Sequence, residues 1–250
     1  MIDPGYRIPE QIFINFETMS MISIKEAKLI ILEHSRKVPV HPIPLAMALG
    51  STLATDVYHH SSAMTGYTKG CELTQDSIGR LAGLGHTQVH VYRQPSVGII
   101  VAGDDLRQFA DRQQVYGKVR ESNSHALTAA LKQSNITRIN FYNAKDTLPG
   151  MTAVLKEALK INDILILTCG KKVGCYDFVI RAAEYCGIKQ IFNKVRQKPG
   201  RPLYFGETEN QVIFGLPGDS STVLNCFYEY VLPAIEKLNN YKGVLKNKVS

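Results

Sequence analysis

The chain has 250 residues, of which 44% are hydrophobic and 20% charged, a composition typical of a globular protein with a sizeable core. Its formal net charge is +7 at pH 7, but the basic residues are scattered without an aromatic pattern, so the charge favours a phosphorylated small ligand over nucleic acid. No run of about 18 apolar residues and no secretion signal is present, and the cysteines form no Cys-x-x-Cys pair, so we expect a cytoplasmic protein with free thiols.

The first part of the chain is predicted to form a mostly helical segment with some extended stretches, over residues 21–92. Residues 1–20 have no clean period, and we expect an irregular tail there. Helical spacing begins at Ser23, which together with Glu26 has the capping-box arrangement. Further features in chain order are short helical pieces over 44–50 and 74–84, a turn-rich stretch over 59–70 and an alternating strand over 88–92.

From about residue 93 the pattern changes to strands and helices in alternation. Residues 97–101 and 164–167 are unbroken apolar runs, as expected for strands buried on both faces. Further strands are predicted over 137–142, 190–195, 203–205 and 212–214, and helices over 122–134, 151–160, 177–186 and 221–238. This alternation predicts a three-layer αβα domain of the α/β class over residues 93–238. Residues 239–250 are expected to form a C-terminal tail.

Four glycine- or charge-rich turns follow predicted strands of this domain, and they begin at residues 102, 168, 198 and 215. In an open α/β sheet, ligands bind in the crevice outside the carboxyl ends of the strands. We therefore expect the four turns to form one composite site. The basic residues and acids that they carry indicate a phosphorylated ligand, with a metal ion as a further option.

Each turn taken alone also has a plain structural interpretation. Residues 215–221 leave a strand and open a helix, which suits an anion, but Asp219 and Ser220 are also ordinary helix caps. Residues 198–202 present two cations between prolines, which suits an oxyanion or a solvent-facing turn. Residues 168–174 permit a backbone nest around an anion, but they match neither common nucleotide-binding glycine pattern.

Acids and a polar helix start complete the candidate site. Asp104, Asp105 and Asp146 follow early strands, where acids hold Mg²⁺ against a phosphate or simply stabilise a turn. Ser122 and Asn123 stand at a predicted helix start, where a helix cap is favoured over a ligand contact.

Taken in order, the motifs resemble the molybdopterin molybdenumtransferase family, which comprises MoeA and the E domain of gephyrin. The similarity covers roughly residues 22–238 and is carried by residues 62–67, 81–85, 89–93, 102–106, 117–123, 173–177, 198–202 and 215–218. The resemblance implies that the α/β domain binds molybdopterin and its phosphate. It also implies that the full enzymes use adenylylated molybdopterin, molybdate and Mg²⁺ and release AMP, and that the protein is a homodimer whose N-terminal segments pair.

The resemblance assigns roles to named residues. The acids implied in catalysis are Asp104, Asp105, Asp146 and Asp177, and the first two are candidate Mg²⁺ ligands. The residues implied in substrate binding are Gly103, Ser122, Asn123, Thr168, Gly170, Lys171, Lys172, Gly174, Lys198, Gly200, Arg201, Pro217, Gly218, Ser220 and Ser221.

The chain also departs from the family pattern. The domain that members insert shortly after the Ala-Met-Asp-Gly-Tyr turn is missing after Tyr67, and we expect the small C-terminal β domain to be missing too. The aspartate of that turn is Thr65, and Asp219 adds a negative charge where an anion would dock. Two functions therefore stay open: a molybdotransferase, or a catalytically inactive carrier, scaffold or regulatory relative. An RNA-binding module is a third option that rests on net charge alone.

Overall fold

The structure is a computed structural model that describes residues 21–35, 38–59, 62–103, 122–169 and 175–239. The elements of the N-terminal part are α1 (Ile24–His34), β1 (Val40–Pro44), a 3-10 turn (Leu45–Met47), β2 (Val57–His59), β3 (Ser62–Tyr67), α2 (Gln75–Gly83) and β4 (Gln88–Tyr92). Those that follow are β5 (Val97–Ala102), α3 (Asn123–Gln133), β6 (Ile139–Ala144), α4 (Leu148–Ala158), β7 (Ile164–Cys169), α5 (Cys175–Tyr185), β8 (Lys189–Lys194), β9 (Pro202–Glu207), β10 (Val212–Leu216), α6 (Ser220–Cys226), a π turn (Phe227–Val231) and α7 (Leu232–Leu238).

A six-stranded sheet in the order β6-β5-β7-β10-β9-β8 forms the centre of the molecule. The strands β6, β5, β7 and β10 run parallel, while β9 is antiparallel to both of its neighbours. Every residue of β5 and β10 is buried, which agrees with the continuous apolar runs in their sequences.

Helices cover both faces of this sheet. Along β5, Ile99 and Val101 pack into a core shared with α1, α3, α6 and α7. Ile100 and Ala102 point the other way, into a core shared with α4 and α5. The predicted three-layer α/β fold is confirmed, and its cause is the two-residue alternation of apolar side chains along strands that are buried on both sides.

The N-terminal helix α1 belongs to the α/β body by its contacts. Its predicted capping box is confirmed, because Ser23 Oγ accepts from the Glu26 N–H at 3.2 Å and Glu26 Oε2 accepts from the Ser23 N–H at 2.7 Å. Just before the helix, Ile22 pairs with Val195 beyond the end of β8, and the Arg196 N–H donates to the Ile22 carbonyl at 2.8 Å. The start of the described chain is thereby fixed beside the turn that begins at residue 198.

The rest of the N-terminal part forms a smaller body with its own apolar core, which includes Leu53, Leu73 and Leu81. It contains α2 as predicted, but also two antiparallel strand pairs, β1–β4 and β2–β3. The interpretation of residues 59–70 as turns is wrong over 62–67, where β3 lies. The sequence missed β1 because it holds two prolines, and a two-stranded ribbon tolerates proline where its missing N–H faces outward.

Two helices of the α/β body differ in detail from the prediction. Helix α4 begins at Leu148 rather than at 151, because Thr147 caps it through the Gly150 N–H and a proline occupies its first turn. The closing helix predicted over 221–238 is continuous from α6 to α7, but it widens into a π turn in which the Leu232 N–H donates to the Phe227 carbonyl. The cause is Pro233, which has no N–H to give to the preceding helical turn.

Candidate functional site

The strand registers bring the candidate turns to one edge of the sheet. At that edge Ala102 of β5 lies opposite both Ala144 of β6 and Cys169 of β7, and Leu216 of β10 lies opposite Thr168 of β7. Because β9 runs antiparallel, it begins at this same edge with Pro202, opposite the end of β8. The segments that follow residues 102, 144, 168, 194 and 216 therefore all leave the sheet on one side, where an α/β fold binds its ligands.

The start of α3 is in direct contact with the turn between β10 and α6. Asn123 Nδ2 donates to the Gly218 carbonyl at 3.1 Å, and the hydroxyls of Ser122 and Ser220 share a hydrogen bond of 2.9 Å. The interpretation of Ser122 as a helix cap is confirmed for its position but not for its side chain. Ser122 occupies the cap position, but its side chain makes no capping bond, since its hydroxyl is bonded to Ser220.

Two buried polar atoms at this edge have no hydrogen-bond partner among the described residues, namely Thr168 Oγ1 and Asn123 Oδ1. Thr168 is 1% exposed and Asn123 is 8% exposed, so water reaches neither side chain freely. Thr168 lies two residues beyond Ile166, whose side chain packs in the core shared with α3, so Thr168 faces the same layer. A buried polar atom without a partner costs about 1–3 kcal/mol, and a polar ligand at this edge would remove that cost.

The turn between β10 and α6 carries a negative charge at the start of the helix. The Asp219 carboxylate accepts from the Thr222 N–H at 3.1 Å, from the Thr222 hydroxyl at 2.9 Å and from the Ser221 hydroxyl at 2.6 Å. The interpretation of Asp219 as a helix cap is confirmed. Its carboxylate occupies the donors that would otherwise receive an anion, and Pro217 and Gly218, which precede it, are half-buried.

The turn over residues 198–201 presents two exposed cations, Lys198 and Arg201, and neither forms an ion pair with a described residue. The Val195 N–H closes the turn by donating to the Arg201 carbonyl at 3.0 Å. Gly200 has φ +93°, and a Cβ there would lie 2.7 Å from Gln197 Nε2. The turn is thus tightly packed on its inner side while its charges face outward.

The candidate acids are spread around the same edge. Asp146 is half-buried just after β6, and Asp177 is exposed in the first turn of α5. Within the described ranges, no group of three or more His, Cys, Asp or Glu side chains is arranged to hold a metal ion. Further candidates, among them the two proposed Mg²⁺ ligands, lie outside the described residues: Asp104, Asp105, Gly170, Lys171, Lys172 and Gly174. Gly103 is described, and its N–H donates to the Ala144 carbonyl at 3.2 Å.

Two buried residues near the 198–201 turn, Cys226 and Tyr230, are new to the candidate site. Burial raises the pKa of Cys226 to about 11 and that of Tyr230 to about 12. Both groups are therefore neutral at physiological pH, which excludes Cys226 as a nucleophilic thiolate. Sequence reasoning missed them because each lies inside an apolar helix pattern with no local sign of a polar partner.

Comparisons with known proteins agree with this fold. Residues 98–237 match the family described as "Probable molybdopterin binding domain". The molybdopterin molybdenumtransferase of Staphylococcus epidermidis is 34% identical over 176 residues, which are 70% of this chain and 42% of that protein. That of Bacillus subtilis is 34% identical over 169 residues, which are 68% and 39% of the two chains. The chain thus spans about two fifths of the length of these relatives.

Solved structures give the same result for the fold. A molybdopterin biosynthesis MoeA protein from Pyrococcus horikoshii superimposes with a TM-score of 0.76 at 15% identity, covering 90% of this chain and 81% of that one. A molybdenum cofactor biosynthesis protein from Pyrococcus furiosus gives 0.66 at 23% identity, covering 90% and 74%. The chain belongs to the molybdopterin-binding domain family, and the resemblance found in its motifs is confirmed. No helix within the described ranges is long and apolar enough to cross a membrane.

Proposed function

We propose that this protein acts in molybdenum cofactor biosynthesis and binds molybdopterin at the carboxyl edge of its sheet. The observation that carries the proposal is a pair of buried polar atoms without a hydrogen-bond partner among the described residues, Thr168 Oγ1 and Asn123 Oδ1, which lie in the part of the chain that matches the molybdopterin-binding family. A pterin ring is flat and carries both N–H donors and acceptors. Such a ligand offers hydrogen-bonding groups that match both atoms.

The two side chains suit different parts of a pterin. Asn123 already uses its Nδ2 to hold the Gly218 carbonyl, so the free Oδ1 accepts from a ligand N–H. The Thr168 hydroxyl donates to a ring nitrogen or carbonyl, or accepts from an amino group. The contact between Asn123 and Gly218 also fixes the angle at which the acceptor is presented.

Anionic groups of the substrates belong, in this proposal, to the neighbouring turns. Lys198 and Arg201 hold molybdate or a phosphate, because they are exposed, unpaired with described residues and set on a closed turn. The 215–221 turn faces the terminal phosphate of molybdopterin, although Asp219 weakens this contact by its charge. A role of Gly170, Lys171, Lys172 and Gly174 in anion binding stays a prediction from the sequence, because these residues lie outside the described ones.

Molybdate insertion with release of AMP is the activity that we propose for this edge. Its catalysis would consist mainly of electrostatic positioning of the adenylylated phosphate and the oxyanion. The acids among the described residues are not grouped as a metal site, and the roles of Asp104, Asp105, Asp146 and Asp177 stay predictions. The same proposal includes a cytoplasmic location and a homodimer. Light scattering at micromolar concentration tests the dimer.

Calorimetric titration of the purified protein with molybdopterin tests the binding function. We expect saturable binding at one site per chain, strengthened by molybdate. Asn123→Asp, which keeps the acceptor but removes the donor to Gly218, should weaken binding. A folded wild-type protein that takes up no molybdopterin would contradict the proposal.

A second candidate function is that of a carrier that binds molybdopterin without turning it over. It is favoured by the direct connection of β3 to α2 through residues 68–74, and by Thr65 in place of the aspartate of the family's turn. A single-turnover assay with adenylylated molybdopterin, molybdate and Mg²⁺ separates the two. Release of AMP supports the transferase, while tight binding without AMP supports the carrier.

A further inference from the structure

The inner side of the 198–201 turn is attached to the closing helix by one side chain, Gln197. Its Nε2 donates to the Gly200 carbonyl at 2.5 Å and lies 3.7 Å from Cys226 Sγ. Its Oε1 accepts from the Tyr230 hydroxyl. Both ends of this half-buried amide are therefore used, one on the backbone of the turn and the other on the helix.

The helix offers a rigid base for this attachment. Tyr230 and Cys226 are 1% and 2% exposed, and both belong to the larger core of the α/β body. Gly200 packs so closely on the same helix that an added Cβ would lie 3.0 Å from Thr222 Cγ2 and 3.1 Å from Cys226 Sγ. The backbone of the turn is thus held against a fully packed surface and has little freedom to move.

The same helix begins at the turn over residues 215–221, which is the second turn of the candidate site. The first residue of this helix, Ser220, shares a hydrogen bond with Ser122, and the carbonyl of Gly218, two residues earlier, accepts from Asn123 Nδ2. One continuous helix therefore sets the distance between the unpartnered Asn123 acceptor and the two cations of the 198–201 turn. A group that fixes the turn to this helix fixes those cations relative to the rest of the site.

We propose that Gln197, supported by Tyr230, is a positioning residue that orients Lys198 and Arg201 toward an oxyanion of the substrate. This inference rests on the proposed function of the edge. Neither Gln197 nor Tyr230 needs to touch the substrate, because the effect is exerted through the backbone of the turn. A cation on a fixed backbone loses less conformational freedom on binding than one on a mobile loop, and so binds an anion more tightly.

A double-mutant cycle on molybdopterin binding tests the inference. The variants are Gln197→Leu, which keeps the size of the side chain but removes its hydrogen bonds, and Lys198→Met, which removes the cation. In the wild-type background Gln197→Leu should raise Kd about tenfold, whereas in the Lys198→Met background, where only Arg201 is left to be misplaced, it should raise Kd about threefold. It should also flatten the dependence of Kd on salt, because a misplaced cation contributes less to binding.

Tyr230→Phe provides a second variant that removes only one hydroxyl, and we expect it to raise Kd about threefold without loss of folding. Gln211→Leu is the matched control. That amide donates to the Leu159 carbonyl at 3.2 Å at the opposite edge of the sheet, so its loss should alter stability but not Kd or the salt dependence.

The outcomes separate the two proposals. Additive effects of Gln197→Leu and Lys198→Met, or an unchanged salt dependence in both Gln197→Leu and Tyr230→Phe, would overturn the positioning role while leaving the binding function intact. A folded wild-type protein that binds neither molybdopterin nor molybdate would overturn both. Coupled effects with a flattened salt dependence would establish Gln197 as the residue that orients the turn.

Discussion

At the scale of single residues, the site is marked by side chains whose hydrogen-bonding capacity is not used within the described protein. Thr168 is the clearest case, because its hydroxyl is buried at the end of an apolar strand and has no hydrogen-bond partner in the described part of the chain. Valine has nearly the same shape and would fill the position without that penalty. A threonine that weakens the free protein is understandable if its hydroxyl serves a ligand.

Thr168→Val should therefore separate stability from binding. We expect the free energy of unfolding to stay unchanged or to rise by up to about 1 kcal/mol, because an unsatisfied hydroxyl is removed. The Kd for molybdopterin should rise about tenfold. Urea unfolding and calorimetry measure the two effects, and a variant that loses stability but keeps its affinity would show that the hydroxyl has a structural partner instead.

Gly200 offers a second prediction at this scale. Gly200→Ala should destabilise the protein by about 2–4 kcal/mol, because φ is +93° and the new Cβ would meet Gln197, Thr222 and Cys226. Gly85→Ala is the matched control, since Gly85 has φ +86° but no atom within 4 Å of the added Cβ. Gly85→Ala should lower the free energy of unfolding by only about 1–2 kcal/mol, which is the cost of a Cβ at a positive φ. Equal losses would mean that packing against the helix contributes nothing.

At the scale of elements, the start of α6 combines a structural and an electrostatic role. Asp219 caps the helix through the Thr222 N–H, which stabilises the helix but places a negative charge beside the site. Most of the capping energy comes from the acceptor oxygen, and asparagine supplies one without the charge. The cap and the charge can therefore be separated.

Asp219→Asn should keep stability within about 0.5 kcal/mol and lower the Kd for molybdopterin several-fold, because a carboxylate no longer opposes the bound phosphate. The gain should shrink as salt is added, since screening weakens the repulsion in the wild type. Titrations at low and high ionic strength measure this. Asp219→Ala is the control, and it should bind more tightly too but lose about 1 kcal/mol of stability through the missing cap.

At the scale of the whole molecule, an ion pair between described residues joins the smaller N-terminal body to the α/β body. Arg93, just after β4, donates to Asp163 through Nη1 at 3.0 Å and through Nη2 at 2.6 Å. Asp163 also accepts from the Ser96 N–H at 2.7 Å and from its hydroxyl at 2.8 Å. Burial opposes the ionisation of Asp163, but these donors outweigh it and lower its pKa below the ordinary value of 3.8.

This lowered pKa has a definite consequence for stability. The contribution of Asp163 is complete above its unfolded pKa and is lost as pH falls through its folded pKa. Asp163→Asn should therefore reduce the free energy of unfolding by about 1–3 kcal/mol at pH 7. The difference from the wild type should narrow toward pH 3, as measured by urea unfolding at both values. If the difference in the free energy of unfolding between Asp163→Asn and the wild type stays constant with pH, the carboxylate charge is not involved.

Much of the α/β body could be predicted from the sequence, because its strands are apolar runs and the apolar residues of its helices recur at helical spacing. The predicted strand over 88–92 has the observed bounds, and the predicted strands over 97–101 and 164–167 are extended by one and two residues. The short strands β1, β2 and β3 were missed, because they are brief or contain prolines and small polar residues, and only pairing with a neighbour stabilises them. Strand pairing is a property of two segments, so one segment does not show it.

The sequence by itself determined the layered fold, the family and the turns that follow the parallel strands, because apolar periodicity and glycine-rich motifs are local properties of the chain. Only the tertiary structure decided which polar groups meet. Ser122 stands at the cap position of α3, but its hydroxyl bonds to Ser220, 98 residues later, and the side-chain amide of Gln197 bonds to Tyr230. A side-chain amide or hydroxyl bonds equally well with water, a helix end or a distant residue. The choice among them is made only when packing excludes the water.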